Sequence, residues 1–119
     1  MSRIVIVDDD ATSVQFLTKL VASLGHDVET YQLGEDAIHR RRESPPDLLI
    51  TDWLLKDHMD GAGVVQAFRE ITPRLPVIVI SGLPRHDLSP AIRQIGNATL
   101  IEKPIDFSVL ASQIAKSIS

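Results

Sequence analysis

The chain has 119 residues, 44% apolar and 24% charged, a balance suited to one soluble globular domain with a buried core. No cysteine occurs, which removes disulfides, thiol catalysis and cysteine-bound metal and makes the cytoplasm the expected compartment. A formal net charge of −4 argues against a direct nucleic-acid surface, no apolar run is long enough for a membrane span, and the N-terminus shows no secretory pattern.

In chain order, strand and helix alternate. Residues 4–7 form a continuous β-branched run, followed by Asp8, Asp9 and Asp10, an acidic group able to cap a helix. Val14, Leu17, Val21 and Leu24 recur at helical spacing, and Gly25 stands where a helix ends. Residues 27–31 alternate polar and apolar, as an edge strand does. A short helix is expected over 34–42, closed by Arg40, Arg41 and Arg42, where positive charge suits the helix dipole and marks a solvated end. Residues 48–51 read as a buried strand, and Val64, Val65, Phe68 and Ile71 mark the helix after it. Pro76 introduces another buried strand at 77–80. Leu88, Ile92 and Ile95 suggest a weaker helix, Leu100 and Ile101 centre a short last strand, and Phe107, Leu110, Ile114 and Ile118 form a final amphipathic helix.

Five strand–helix units without repeat or linker predict an α/β fold, a parallel sheet covered on both faces with right-handed crossovers. With the half-polar second strand at an edge, the strand order is 2-1-3-4-5, the flavodoxin-like arrangement.

Polar residues that interrupt buried strands gather at the carboxyl ends of those strands. Asp8 and Asp9 follow the first strand, Asp52 the third, Ser81 the fourth and Lys103 the fifth. In such a sheet these ends share one crevice, the expected ligand site. Carboxylates brought close together repel one another and suit Mg²⁺, with the Lys103 ammonium completing the charge balance. A central carboxylate can then act as a nucleophile toward phosphorus, while Lys103 and the Ser81 hydroxyl neutralise phosphoryl oxygens. Taken singly, each feature has an ordinary meaning: a helix cap, a turn serine, a Lys-Pro loop. The specificity lies in the set.

These residues resemble the receiver domain of two-component response regulators, over the whole chain, 1–119. The resemblance rests on Ile4-Val5-Ile6-Val7-Asp8-Asp9, Leu48-Leu49-Ile50-Thr51-Asp52, Met59-Asp60-Gly61, Val77-Ile78-Val79-Ile80-Ser81-Gly82 and Glu102-Lys103-Pro104. It implies that Asp52 is the phosphoacceptor, that Asp9 binds Mg²⁺ directly with Asp8 helping through water, and that the Leu54 carbonyl completes the metal contacts. It implies too that Ser81 and Lys103 hold the phosphoryl group and that the Lys103–Pro104 bond is cis. The implied donor is a phosphohistidine on a sensor histidine kinase or phosphotransfer domain, and the implied receiver of the signal is a downstream protein or a fused output domain. Such a domain promotes only its own phosphorylation and dephosphorylation and is not an enzyme in the ordinary sense.

The sequence departs from the family pattern in places. The loop from Asp52 to Gly61 is one residue longer than usual, with Lys56-Asp57-His58 where a proline is common. Leu100 stands where an aromatic ring is usual, three residues before the lysine. Trp53, directly after the phosphoacceptor, reads as partial packing near the surface. Leu54 and Leu83 occupy the positions that the resemblance assigns to control of water attack, two beyond the acceptor and two beyond the serine. His26, His39, His58 and His86 lack metal-site spacing and read as surface residues.

Two rival readings exist. Asp8-Asp9-Asp10-Ala11-Thr12 matches the D-x-D-x-T motif of haloacid-dehalogenase-like phosphatases, although only Asp106 follows Lys103 as an acidic partner. Leu100 and the altered loop would also suit an interaction module that is never phosphorylated.

Overall fold

The computed structural model describes residues 2–40, 43, 45–55 and 60–118. The elements are β1 (Arg3–Val7), α1 (Ala11–Ser23), β2 (Asp27–Tyr31), α2 (Gly34–Arg40), β3 (Leu48–Asp52), α3 (Gly61–Ile71), β4 (Val77–Ser81), α4 (Arg85–Ile95), β5 (Ala98–Glu102) and α5 (Phe107–Ile118). The five strands form one sheet in the order β2-β1-β3-β4-β5, every pairing parallel, as the sequence predicts.

Alternation along the strands divides the core into two layers. Ile4, Ile6, Leu48, Ile50, Ile78 and Ile80 face α1 and α5, while Val5, Val7, Leu49, Val77 and Val79 face α2, α3 and α4. Every one of these side chains is at most 2% exposed, and each contributes about 1.5–3 kcal/mol by leaving water. A one-residue slip would exchange the two sets, so the burial itself holds the register. β2, in contrast, has no fully buried residue and lies at the edge.

Local signals start and stop the helices. The Asp10 carboxylate accepts from Thr12 N at 3.3 Å and from the Ser13 hydroxyl at 2.9 Å, capping α1. Gly25 ends that helix at φ +90°, donating its N–H to the Ala22 carbonyl. Asp60 caps α3 by accepting from Gly63 N at 2.8 Å.

Two details differ from the sequence expectation. Leu24 is the C-terminal cap of α1 and 40% exposed, outside the buried stripe. Phe107 is 53% exposed and meets Phe16 edge-on, ring centroids 5.8 Å apart, because it opens α5 above the core. α2 is described over Gly34–Arg40, and Arg40 pairs with Glu43; the expected continuation through Arg41 and Arg42 lies outside the described residues.

α4 is the least self-sufficient helix. Pro90 interrupts its hydrogen-bond ladder, and its cap, Pro84, makes no side-chain capping bond. Its C-terminal end is held from α3, where the Arg69 guanidinium donates to the carbonyls of Leu75, Ile95 and Asn97.

Candidate functional site

The sheet extends its ladder beyond the strand ends at the carboxyl edge, and that extension sets the site. Asp8 N donates to Tyr31 O at 3.0 Å, Trp53 N to Ile80 O at 3.0 Å, and Lys103 N to Ser81 O at 2.8 Å. β3 and β4 each run one residue further than the apolar pattern suggests, taking Asp52 and Ser81 into the sheet. The backbone at these positions is therefore rigid, which fixes where the side chains point.

Asp8, Asp9 and Asp52 each offer a carboxylate oxygen, and these oxygens lie within 4.8 Å of one another. Asp8 is 1% exposed and Asp52 8%, while Asp9 is half-buried. The Lys103 ammonium reaches in from the end of β5, 3.2 Å from Asp52 Oδ2. Four of the five expected residues thus meet in one place, and the Lys103–Pro104 bond is cis as expected.

The electrostatics are unbalanced. Burial, reinforced by the Asp52 charge, pushes the Asp8 carboxyl up to about 6, against the lowering effect of the Asp10 N–H. Asp8 Oδ1 accepts that N–H at 2.9 Å, but Oδ2 is buried with no partner among the described residues. Burial works to lower the Lys103 ammonium, yet the bond to Asp52 and its charge outweigh it and raise the group above its ordinary value. An orphaned buried oxygen among hard anionic donors fits a hard divalent cation such as Mg²⁺.

Ser81 is 1% exposed, and its Oγ accepts from Leu83 N at 3.0 Å, leaving the hydroxyl proton free to donate. Leu54 follows Trp53 off β3 and bridges to Asp60; its side chain is 57% exposed. Trp53 is half-buried against the α3–α4 layer, as expected. Leu100 is buried in that same layer. Lys56, Asp57, His58 and Met59 lie outside the described residues. His39 and His86 are exposed, but His26 is half-buried and its Nδ1 accepts from Ser2 N at 3.3 Å, a structural role the spacing alone could not show.

Two supporting residues stand in the quoted motifs, but the sequence assigns them no role of their own. The fully buried Thr51 hydroxyl donates to the Asp52 carbonyl at 3.0 Å, and the signal for it was a polar residue inside a buried strand. Gly61 packs so closely that an added Cβ would stand 2.6 Å from the Asp52 carbonyl oxygen, while its N–H donates to Trp53 O. Any side chain there would displace the acceptor strand. Asp10 is spent on capping α1 and takes no part in the carboxylate cluster, so the D-x-D-x-T match does not assemble an acid pair.

The family model for the response regulator receiver domain matches residues 4–115. The chain belongs to this family. The receiver domain is 30% identical to the response regulator receiver protein CpdR of Brucella abortus over 118 residues, covering 99% of this chain and 98% of that protein. It is 25% identical to the transcriptional regulatory protein ZraR of Salmonella typhimurium, where the match covers 98% of this chain but only 26% of the relative. Its fold superposes on the Vibrio cholerae chemotaxis protein CheY4 with a TM-score of 0.89 at 20% identity, covering 98% of each chain. No helix among the described residues is long and apolar enough to cross a membrane.

The Asp8 geometry has a pH signature in metal-free protein. Its folded carboxyl titrates near 6 rather than at the ordinary 3.8, so its share of stability is complete below the lower value and is lost as pH rises through the upper one. Asp8→Asn keeps the acceptor for Asp10 N and removes the charge. In chelator, urea denaturation should show the variant more stable than wild type at pH 7 by about 1–2 kcal/mol, with the gap closing toward pH 4. A variant less stable than wild type at pH 7 would contradict this reading.

Proposed function

We propose that the receiver domain accepts a phosphoryl group on Asp52 from a phosphohistidine of a sensor histidine kinase or phosphotransfer domain. In this reading the phosphorylated form changes its affinity for a downstream protein or a fused output domain. One observation carries it: Asp52 belongs to the carboxylate cluster and is also the carboxylate that Lys103 touches, at 3.2 Å. Asp8, Asp9, Asp52 and the Leu54 carbonyl would hold Mg²⁺, which when bound neutralises the carboxylates and gathers phosphoryl oxygens.

The chain's own groups do the rest. An Asp52 oxygen attacks phosphorus, the P–O bond forms, the P–N bond breaks, and its electron pair stays on the donor imidazole. Such transfers depend on position and on neutralising the equatorial oxygens. Lys103 turns from the Asp52 carboxylate to a phosphoryl oxygen and carries its charge with it. Ser81, its oxygen already fixed by the Leu83 N–H, donates its hydroxyl proton to another. Thr51 and Gly61 keep the Asp52 backbone in place meanwhile. The domain thus catalyses a change only in itself.

The test is incubation with acetyl phosphate and Mg²⁺ followed by mass spectrometry. Wild type should gain one phosphoryl group on Asp52, and Asp52→Asn should gain none. Equal labelling of that variant would sink the assignment.

The phosphorylated state should also be long-lived. Leu54, two residues beyond Asp52, and Leu83, two beyond Ser81, are 57% and 37% exposed, and neither side chain can orient a water by hydrogen bonding. Leu54→Asn and Leu83→Glu should each shorten the half-life of the phospho-protein. Unchanged half-lives in both would show that these leucines do not govern water access.

A further inference from the structure

Three residues, 82–84, separate Ser81 from Arg85, and both ends of this short loop are tied to β5. At one end Lys103 N donates to Ser81 O at 2.8 Å. At the other, Arg85 Nε donates to Glu102 Oε1 at 3.0 Å and Arg85 Nη2 to the Leu100 carbonyl at 3.1 Å. Between them, Leu83 N reaches back to Ser81 Oγ. Ser81, the proposed hydrogen-bond donor to the phosphoryl group, and the start of α4 are therefore coupled through the end of β5.

Little else of a polar kind restrains that start. Pro84 provides no capping bond, and Arg85, His86 and Asp87 are all exposed. Among the described residues, the polar side-chain ties from the first turn of α4 to the sheet are those of Arg85. Beside them lies a hollow of about 540 Å³ between α4 and β5, bordered by Arg85, Ser89, Ile92 and Leu100. A leucine fills less of this space than a ring would, so the first turn has room to shift. The opposite end of α4 is pinned by Arg69 through the Ile95 carbonyl. One end fixed and the other lightly held is the arrangement of a lever.

The geometry points to Arg85 as a positioning residue: it latches the first turn of α4 onto β5 in the unphosphorylated domain and so sets how readily the Ser81 loop closes on a phosphoryl group at Asp52. This rests on the Asp52 reading above. The strength of the latch suits the task. Both side chains of the ion pair are about half exposed, 55% and 45%, so the pair is weak and new contacts at Asp52 can displace it. If the latch is made only in the open arrangement, removing it favours the closed one, and any ligand of the closed arrangement binds tighter by the same factor.

Beryllofluoride with Mg²⁺, a phosphoryl mimic, tests this on the whole chain, with binding followed by amide shifts. Arg85→Ala should bind about two- to five-fold tighter than wild type, the range expected for a half-exposed pair and one carbonyl bond. Glu102→Gln should move the same way by less, since the bond to Leu100 remains. Arg85→Lys, which keeps the charge but not the forked donor, should fall between wild type and Arg85→Ala. Without beryllofluoride, amide exchange across residues 82–88 should quicken in Arg85→Ala while that of β1 and β3 stays unchanged. Wild-type binding with equal or weaker binding by Arg85→Ala would overturn the latch and leave the Asp52 reading standing. A wild type that binds no beryllofluoride would overturn the Asp52 reading and the latch with it.

Discussion

Like charges held together in a place they would not choose are the constraint behind this structure. Asp8, Asp9 and Asp52 bring carboxylate oxygens within 4.8 Å of one another, and among the described residues the Lys103 ammonium is the cation paired with Asp52. At an effective dielectric of about 20, two charged carboxylates this close repel by a few kcal/mol. At Asp8, burial first and the Asp52 charge after it push the carboxyl up to about 6, and Oδ2 is buried without a partner among the described residues. A cluster of this kind gains stability from a divalent cation.

The sheet is what makes the strain tolerable. Asp8, Asp52 and Lys103 stand at or just beyond the ends of β1, β3 and β5, with the ladder bonds of Asp8 N, Trp53 N and Lys103 N carried past the regular pairing. Two apolar layers bury both faces and prevent the slip that would relieve the repulsion. Thr51 and Gly61 add a local lock on the Asp52 backbone, one by a hydroxyl bond and the other by having no side chain. Packing far from the site thus becomes geometry at the site.

The fold was legible because its signals are local and periodic: buried runs at β1, β3 and β4, a half-polar edge at β2, and helical stripes between them. The carboxylates and Lys103 were legible because a parallel sheet brings all strand ends to one side. What escaped was whatever depends on distance along the chain or on main-chain partners. Arg69 and Arg85 donate mostly to carbonyls, which every residue owns, and their partners lie up to 28 residues away. His26 meets Ser2 across 24 residues for the same reason. Thr51 carried a usable sign, a hydroxyl in a fully buried strand, whereas the close approach of Gly61 to Asp52 is visible only in three dimensions.

Trp53 provides the most direct probe of the cluster, since its indole follows Asp52 in the chain and packs half-buried beside α3. The deciding measurement is a Mg²⁺ titration of its intrinsic fluorescence in wild type and in Asp9→Ala. A saturable change in the millimolar range, lost in the variant, is the result expected of a partly hydrated ion held by these carboxylates. No saturable change in wild type, or the same change in Asp9→Ala, would contradict a cation site at Asp8, Asp9 and Asp52.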